Sequence, residues 1–229
     1  MSKFTLLFAG LALAVVISPY AGADVCNLKQ ADECAKDIIM YSENTVLPID
    51  PQEIAKECEK GAKAAKCLQD IAEGDCQLSD SAKRVFKQII EGAENERVHR
   101  CDPSHKTGQD YAKFVPCLNK VGNKLQQCEK HLAAEAEAAV KAPVDERVGR
   151  ACCLLAKVGK CLHDVSQEAC SVEHARFIDD MVNGTAGAAI GPICAGFKAD
   201  ACEKYDQLEV SEQTKYQTAL LPFIELLSF

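Results

Sequence analysis

The chain has 229 residues with a formal net charge of −8 at pH 7, 14 cysteines and no tryptophan. No cluster of Lys and Arg interrupts the acidic balance, which disfavours a nucleic-acid partner because phosphate binding depends on grouped basic side chains. We therefore expect a well-solvated acidic surface and no nucleic-acid interface.

The first 23 residues have the pattern of a secretory signal peptide. Lys3 supplies a positive charge, residues 4–17 are apolar, and the Ala-Gly-Ala run at 21–23 has the form of a cleavage site. The apolar run is shorter than the roughly 20 residues of a spanning helix, which disfavours the alternative of a signal anchor. We therefore predict a secreted, extracellular chain that begins near Asp24 and has no transmembrane segment.

Helix signals dominate the first half of the chain and strand signals are scarce. Asp50-Pro51-Gln52-Glu53 combines an N-cap aspartate, a proline in the first turn and a glutamate three residues after the cap. Gly74 is placed to end that helix. The next helix is predicted to begin at Ser79 or Asp80.

The second half shows the same helical character. Residues 130–141 are strongly helix-forming, Val144 begins a helix after a proline, and Ser171 begins another. A further helix is predicted from Ser211 towards Leu221. The predicted fold class is all-α: two tandem disulfide-stapled helical modules, with about three main helices each, plus a C-terminal helix.

Each half contributes one apolar helix face from corresponding positions. Phe86 and Ile90 lie on this face in the first half, and Phe177 and Val182 lie on its counterpart in the second. If the two faces border a space instead of a filled core, these four side chains are the candidate wall of an apolar-ligand pocket.

The cysteines divide into two sets of six plus two without counterparts. Four cysteines of the first set recur in the second with a shift of 94 positions, namely Cys34, Cys58, Cys67 and Cys76 as Cys128, Cys152, Cys161 and Cys170. Two more recur at slightly different spacing, Cys26 as Cys117 and Cys101 as Cys194. We predict one module over residues 24–105 and a second over 106–229, with the boundary in a turn-rich segment.

Export would place these cysteines in an oxidising compartment, where an even number at repeated spacing indicates disulfides. Zinc is disfavoured because the chain has no Cys-x-x-Cys pair.

The spacing of the cysteines limits how they can pair. Cys58 and Cys67 are nine residues apart, which separates them by about 13 Å on one helix. This distance is too long for a disulfide. Facing residues of an antiparallel helical hairpin are equidistant from its turn. The predicted pairs are Cys26–Cys76, Cys34–Cys67, Cys58–Cys101, Cys117–Cys170, Cys128–Cys161, Cys152–Cys194 and Cys153–Cys202.

His163-Asp164, downstream of Cys152-Cys153, is similar to the catalytic segment of secreted phospholipases A2. In those enzymes the His-Asp pair follows the paired cysteines after two residues and a glycine-rich calcium loop lies upstream. Here nine residues intervene, no such loop exists, and the first half has Gln69-Asp70 at the matching place. We therefore expect an exposed structural histidine, since a general base needs a nucleophile or a water placed beside it.

His99 and His105 are candidate metal ligands, but two histidines six residues apart lack a convincing third ligand. Sequences typical of hydrolases and nucleotide enzymes are absent, such as Gly-x-Ser-x-Gly, His-Glu-x-x-His and phosphate-binding glycine loops. We therefore predict no metal, no cofactor and no enzymatic activity, and keep a secreted hydrolase as the third hypothesis.

Three features of the second half concern its surface and its packing. Asn183-Gly184-Thr185 is the single Asn-x-Ser/Thr sequon, and Asn183 is the expected glycan site. Residues 185–196 are small and largely apolar, which predicts close packing against a helix, with the wall of an apolar pocket as the alternative. The hydrophobic C-terminus, residues 220–229, is expected to fold back over a core. Its alternative is an exposed patch for self-association or contact with a membrane surface.

Each half contains a Cys-x8-Cys-x8-Cys core followed by one further cysteine, Cys58/Cys67/Cys76 in the first and Cys152/Cys161/Cys170 in the second. In a secreted, acidic, helical chain this spacing resembles the insect 27 kDa haemolymph glycoprotein family. Membership would imply a non-enzymatic, glycosylated protein of haemolymph or a gland secretion, and would transfer no catalytic residue. Insect odorant-binding proteins also end in Cys-x8-Cys, but their Cys-x3-Cys signature is absent here.

The leading functional hypothesis is a secreted, non-catalytic, disulfide-stabilised protein that binds or packs with other extracellular proteins. The alternative is a carrier of small apolar, lipid-like ligands held between the helices. The two differ in the core, because a carrier needs an enclosed space of roughly several hundred Å³ whereas a filled core leaves none.

Overall fold

The computed structural model describes residues 28–74, 78–195, 197, 199–205, 208–211 and 213–227. The described residues form helices joined by turns and loops and contain no β-strand, so the predicted all-α class is confirmed. The helices are α1 (Leu28–Ala35), α2 (Pro51–Glu73), α3 (Asp80–Cys101), α4 (Lys106–Leu118), α5 (Gly122–Val140), α6 (Val144–Ala169), α7 (Val172–Val182), α8 (Ala188–Cys194) and α9 (Leu220–Leu226). A π-helical turn, Asn183–Gly187, joins α7 to α8, and 3₁₀ turns cover Asn119–Val121 and Ala199–Tyr205.

The predicted caps set the ends of the long helices. Asp50 Oδ1 accepts hydrogen bonds from the backbone N–H groups of Gln52 and Glu53, at 2.9 and 3.3 Å. Gly74 follows the last residue of α2. Ser79 Oγ accepts from the N–H of Ala82 at 3.2 Å at the start of α3. These side chains satisfy amides that have no partner within the helix.

The helix predicted from Ser211 towards Leu221 is wrong, since helix α9 begins at Leu220. The preceding amides bind carboxylates from distant helices instead of carbonyls one turn back. Glu137 of α5 accepts from the N–H of Lys215 at 2.9 Å and of Tyr216 at 2.6 Å. Charge-assisted bonds of this kind are strong enough to override a moderate helix preference.

Asp32 of α1 anchors the next two residues in the same way. This buried carboxylate accepts from the N–H of Gln217 at 2.7 Å, from the N–H of Thr218 at 3.0 Å and from the Thr218 hydroxyl at 2.8 Å. The C-terminal segment is therefore tied to α1 and α5 before it turns into α9.

The apolar C-terminal helix folds back over the core, as predicted. Leu221, Phe223, Ile224 and Leu226 of α9 are at most 4% exposed. The alternative of an exposed tail for self-association or membrane contact is therefore wrong for residues 220–227, and residues 228–229 lie outside the described residues. None of the described helices is long and apolar enough to span a membrane.

Six of the seven predicted disulfides are present, and they join helices that neighbour one another. Their Cα–Cα distances lie between 5.4 and 6.3 Å. The six are Cys34–Cys67, Cys58–Cys101, Cys117–Cys170, Cys128–Cys161, Cys152–Cys194 and Cys153–Cys202. The pair predicted between Cys26 and Cys76 lies outside the described residues. In the chain-entropy model each crosslink of this loop length contributes about 3–4 kcal/mol.

A single apolar core crosses the boundary predicted between the two modules. It contains fully buried side chains from the first half, such as Leu68 and Phe86, together with Leu118, Leu125 and Ile224 from the second. Helix α3 also packs against the π-helical turn and α8 of the second half. The division at residue 105 stays a prediction about the repeat and does not separate two cores.

A clamp formed by the loop after α1, the 3₁₀ turn at Asn119–Val121 and the first residue of α5 joins the two halves at one edge. Asn119 pairs with the backbone of Leu47, accepting from its N–H and donating to its carbonyl, both at 2.8 Å. The chain approaches so closely that a Cβ on Gly122 would lie 1.7 Å from the carbonyl oxygen of Thr45. Tyr41, in the left-handed region at φ 59°, begins this loop.

Gly122→Ala should therefore destabilise the protein by about 3 kcal/mol, because the added methyl group has to displace the backbone of the loop. Gly159→Ala, on α6 with nothing within 4 Å of the added carbon, is the matched control. It should stabilise the protein by up to about 1 kcal/mol through helix propensity. Guanidinium unfolding under non-reducing conditions measures both, and equal effects of the two substitutions would contradict the clamp.

Asp32→Ala should cost about 2–4 kcal/mol, because it leaves the amides of Gln217 and Thr218 without acceptors in a buried place. Hydrogen exchange should then accelerate at those two amides more than at amides within α2. Glu59→Ala, which removes an exposed carboxylate of α2 that pairs with Lys63, is the control. Unchanged exchange at residues 217–218 in Asp32→Ala would show that the carboxylate does not hold the segment.

Candidate functional site

A partly open cavity of about 170 Å³ lies within the core, between elements from both halves of the chain. The first half contributes side chains from the turn after α1 and from α2 and α3, and the second half contributes from α5 to α9. Most of the lining is aliphatic, with Ile89, Ile90, Leu132, Val158 and Leu162 among the side chains that border the space. The surface that it offers is therefore almost entirely apolar.

Two of the four residues predicted as the wall of an apolar-ligand pocket border this cavity, and a ligand at that wall stays a prediction. Ile90 and Val182 line the cavity. Phe86 and Phe177, in contrast, are buried in filled parts of the core and are not among the lining residues, and the Phe177 ring packs 5.5 Å from that of Phe114. Helical spacing identified inward-facing residues correctly, but it does not distinguish an inward residue beside a void from one in close packing.

Both interpretations of the small apolar run after residue 184 hold. A Cβ on Gly92 of α3 would lie 2.3 Å from the carbonyl oxygen of Thr185, so the backbones pack directly against each other there. Thr185, Ala186 and Ile190 also line the cavity. The small residues of this run allow the π-helical turn to contact α3 at Gly92. Other residues of the same run border the cavity beside that contact.

Helix α9 closes one side of the cavity. Leu220 and Phe223 line it, and so does Ala219, which directly precedes the helix. This side is held by the segment that Asp32 and Glu137 anchor. A ligand in the cavity would therefore contact the C-terminal helix as well as both halves of the bundle.

Two methionines give the lining a deformable part. Met40, in the turn after α1, and Met181, near the end of α7, both face the cavity. An unbranched thioether side chain changes rotamer at low cost and adapts to ligands of different shape. The space can therefore adjust to a ligand by rearrangement of side chains alone.

The carboxyl group of Glu129 is the unusual feature of this lining. Glu129 lies on α5, faces the cavity, and has no hydrogen-bond or ion-pair partner among the described residues. Burial alone raises its pKa from 4.5 to about 7, with no neighbouring charge among the causes. A carboxylate without a partner is costly in an apolar place, so the proton is retained to near neutral pH.

The second acid of the lining is compensated. Glu96 of α3 is 8% exposed and forms an ion pair with Arg100, whose Nε lies 3.0 Å from Oε1. Burial raises the pKa of Glu96, while Arg100 opposes that effect. The two acids thus differ, because one has a cation beside it and the other faces apolar side chains.

The predicted histidine candidates form no site with this cavity. His163 bonds through Nδ1 to Asp179 at 2.9 Å and through Nε2 to Gln167 at 3.0 Å, so both ring nitrogens are occupied by structural partners. These hydrogen bonds, with Asp179 first, raise the pKa of His163. No nucleophile lies among the partners of its ring nitrogens.

Among the described residues, His99 and His105 belong to no group of three potential metal ligands. The rings of His99 and His105 stack 4.1 Å apart and nearly parallel, and His105 Nδ1 accepts from the N–H of Thr107 at the start of α4. His174 lies beside the sulfurs of Cys117 and Cys170. Those sulfurs are bonded to each other, so they are not available as thiolate ligands.

The sequon lies at the protein surface. Asn183 is exposed at the beginning of the π-helical turn, and the hydroxyl of Thr185 donates to the carbonyl of Met181 at 3.0 Å. The position is accessible to a glycan. Glycosylation at Asn183 stays a prediction.

Comparisons of the chain with protein-family models, with curated proteins and with solved structures return no match. The resemblance to the haemolymph glycoprotein family therefore stays a prediction. Function has to be inferred from the site itself, because a helical fold is shared by proteins of many activities.

The pKa of Glu129 predicts how stability depends on pH. Between pH 4.5 and 7 the unfolded chain loses the Glu129 proton while the folded protein keeps it, so the free energy of unfolding should fall as pH rises through this range. The side chain of Glu129→Gln resembles the protonated form of Glu129. This variant should therefore not show the fall in the free energy of unfolding between pH 4.5 and 7. Its advantage over the wild type should reach about 2–3 kcal/mol near pH 8 and vanish near pH 4.5.

Glu91→Gln, an exposed position on α3, is the control for the general effect of removing one negative charge. Urea unfolding from pH 4.5 to 8 provides the measurement. A constant difference between Glu129→Gln and the wild type across this range would mean that the folded pKa is not raised.

Proposed function

We propose that the protein is a secreted, non-catalytic carrier of small apolar molecules, which it holds in the cavity between its helices. The observation that carries this proposal is the apolar, partly open cavity within the core, lined from both halves of the chain. A protein that worked only through its outer surface would gain nothing from this space. Its apolar lining instead costs stability when no ligand covers it.

The volume limits the ligand. It is below the several hundred Å³ expected from the sequence for a lipid carrier, and closer to the 150 Å³ cavity that takes up benzene in an engineered protein. The proposed ligand is therefore a compact molecule with one ring or a short chain. Longer lipids would require Met40 and Met181 to move aside.

The sequence hypothesis of binding through the outer surface has less support. Large exposed apolar side chains among the described residues are few, and most stand apart from one another along the chain: Val46, Ile49, Val98, Val144, Val172, Phe197 and Val210. Single exposed apolar residues are normal on protein surfaces. The cavity is the more specific feature.

Extracellular location and the lack of enzymatic activity belong to the same proposal. Six disulfides among the described residues are typical of an oxidising compartment, and the N-terminal sequence has the pattern of a signal peptide. The cavity contains two acids but no histidine, serine or cysteine nucleophile among its lining residues. Binding without chemistry is the function that such a lining supports.

Native mass spectrometry of protein purified from its natural fluid, before and after extraction with organic solvent, tests the proposal. A bound mass of about 100–150 Da, lost on extraction, is expected from the cavity volume. Recovery of the same mass before and after extraction, in protein shown to have an intact cavity, would contradict a carrier function.

Filling the cavity provides the matched variant test. Ala186→Leu places three additional carbons into the space, whereas Ala156→Leu adds them on the exposed face of α6. Ethylbenzene should raise the Tm of the wild type and of Ala156→Leu by several degrees near saturation, and that of Ala186→Leu by much less. Equal shifts in all three proteins would place ethylbenzene outside the cavity.

A further inference from the structure

We propose that the ligand carries one basic nitrogen, and that its ammonium group pairs with the carboxylate of Glu129 while its apolar body fills the cavity. This inference rests on the carrier function and names the chemical class of its ligand. It starts from a mismatch of charge within the lining.

The lining contains two carboxylic acids, and only one of them has a positively charged side chain as a partner. Arg100 is committed to Glu96 at 3.0 Å, while Glu129 has no partner among the described residues. Tyr41, the remaining ionisable side chain of the lining, donates its hydroxyl to Asn119 at 3.3 Å. When Glu129 is ionised, the cavity therefore supplies no positive charge to its carboxylate.

Among the described residues, no charged group of α6 or α9, the helices that pack most against α5, lines the cavity. Lys157 of α6, whose side chain is exposed, lies 3.7 Å from Glu135. Glu225 of α9 accepts from the hydroxyl of Tyr216 at 2.7 Å. Neither residue lines the cavity, so the protein supplies no compensating cation to Glu129.

The chemistry of the ligand follows from this arrangement. An ammonium group on an apolar body offers Glu129 both a positive charge and N–H donors, and charge-assisted hydrogen bonds are the strongest available to a carboxylate. A ligand carboxylate would place a second negative charge beside the first. A plain hydrocarbon would leave the acid unpaired, and a hydroxyl would pair with it without neutralising its charge.

Proton exchange accompanies this binding. An ammonium group binds the ionised form of Glu129, so it lowers the pKa of that carboxyl and a proton leaves to the solvent. Affinity for the amine should therefore rise from pH 5.5 to pH 8, opposite to the trend for a ligand that prefers the neutral acid. The protein would bind such a ligand in a neutral fluid and release it in an acidic one.

Benzylamine and ethylbenzene form a matched pair of probes, because they have the same number of non-hydrogen atoms and differ in one group. Isothermal titration of the full chain at pH 8 should give benzylamine at least about tenfold higher affinity than ethylbenzene. In Glu129→Gln this preference should disappear or reverse, while ethylbenzene still binds. Glu91→Gln should behave as the wild type.

Each outcome separates the two proposals. Binding of ethylbenzene but not benzylamine by the wild type would keep the carrier and overturn the amine, as would tighter binding of benzyl alcohol than of benzylamine. Failure of all three probes would overturn both. Benzylamine titrations at pH 7 in buffers of different ionisation enthalpy should also show net proton release, and its absence would contradict pairing with the Glu129 carboxylate.

Discussion

The crosslinks between neighbouring helices are the constraint on which the rest of the structure depends. They hold the Cα atoms of bridged cysteines 5.4 to 6.3 Å apart, so the helix pairs keep their spacing whether or not the space between them is filled. An unfilled apolar cavity of about 170 Å³ leaves packing contacts unmade and therefore costs stability. Crosslinks of about 3–4 kcal/mol each in the chain-entropy model act against that cost. A stapled bundle can therefore retain a void that a small uncrosslinked core would be expected to collapse.

Local signals and cysteine spacing predicted much of the framework. The N-cap at Asp50 and the equidistance of cysteines from a helical turn are short-range or purely geometric features, and both are present in the structure. The start of the C-terminal helix could not be predicted, because its position depends on carboxylates that are remote in sequence. Asp32 binds amides about 185 residues away along the chain, and no local pattern records that contact.

The site was less accessible to sequence reasoning than the fold. Ile90 and Val182 were found because helical periodicity identifies inward faces, whereas Phe86 and Phe177 share that periodicity and fill the core instead. Glu129 was missed because the apolar pattern that marks inward positions of a helix does not include a charged residue. One signal was present: Glu129 follows Cys128, which forms an inward disulfide, so its position lies near the buried face of α5.

The central claim is that the cavity is a binding site for a small apolar ligand, and the methionines test it most directly. The chain has three, Met1 in the predicted signal peptide and Met40 and Met181 in the lining. Protein labelled with ¹³C at the methionine methyl groups should be titrated with ethylbenzene and followed by NMR. We predict that the Met40 and Met181 signals shift together along one saturating curve. Signals that stay in place up to the solubility limit, or that drift without saturation, would contradict a ligand in this cavity.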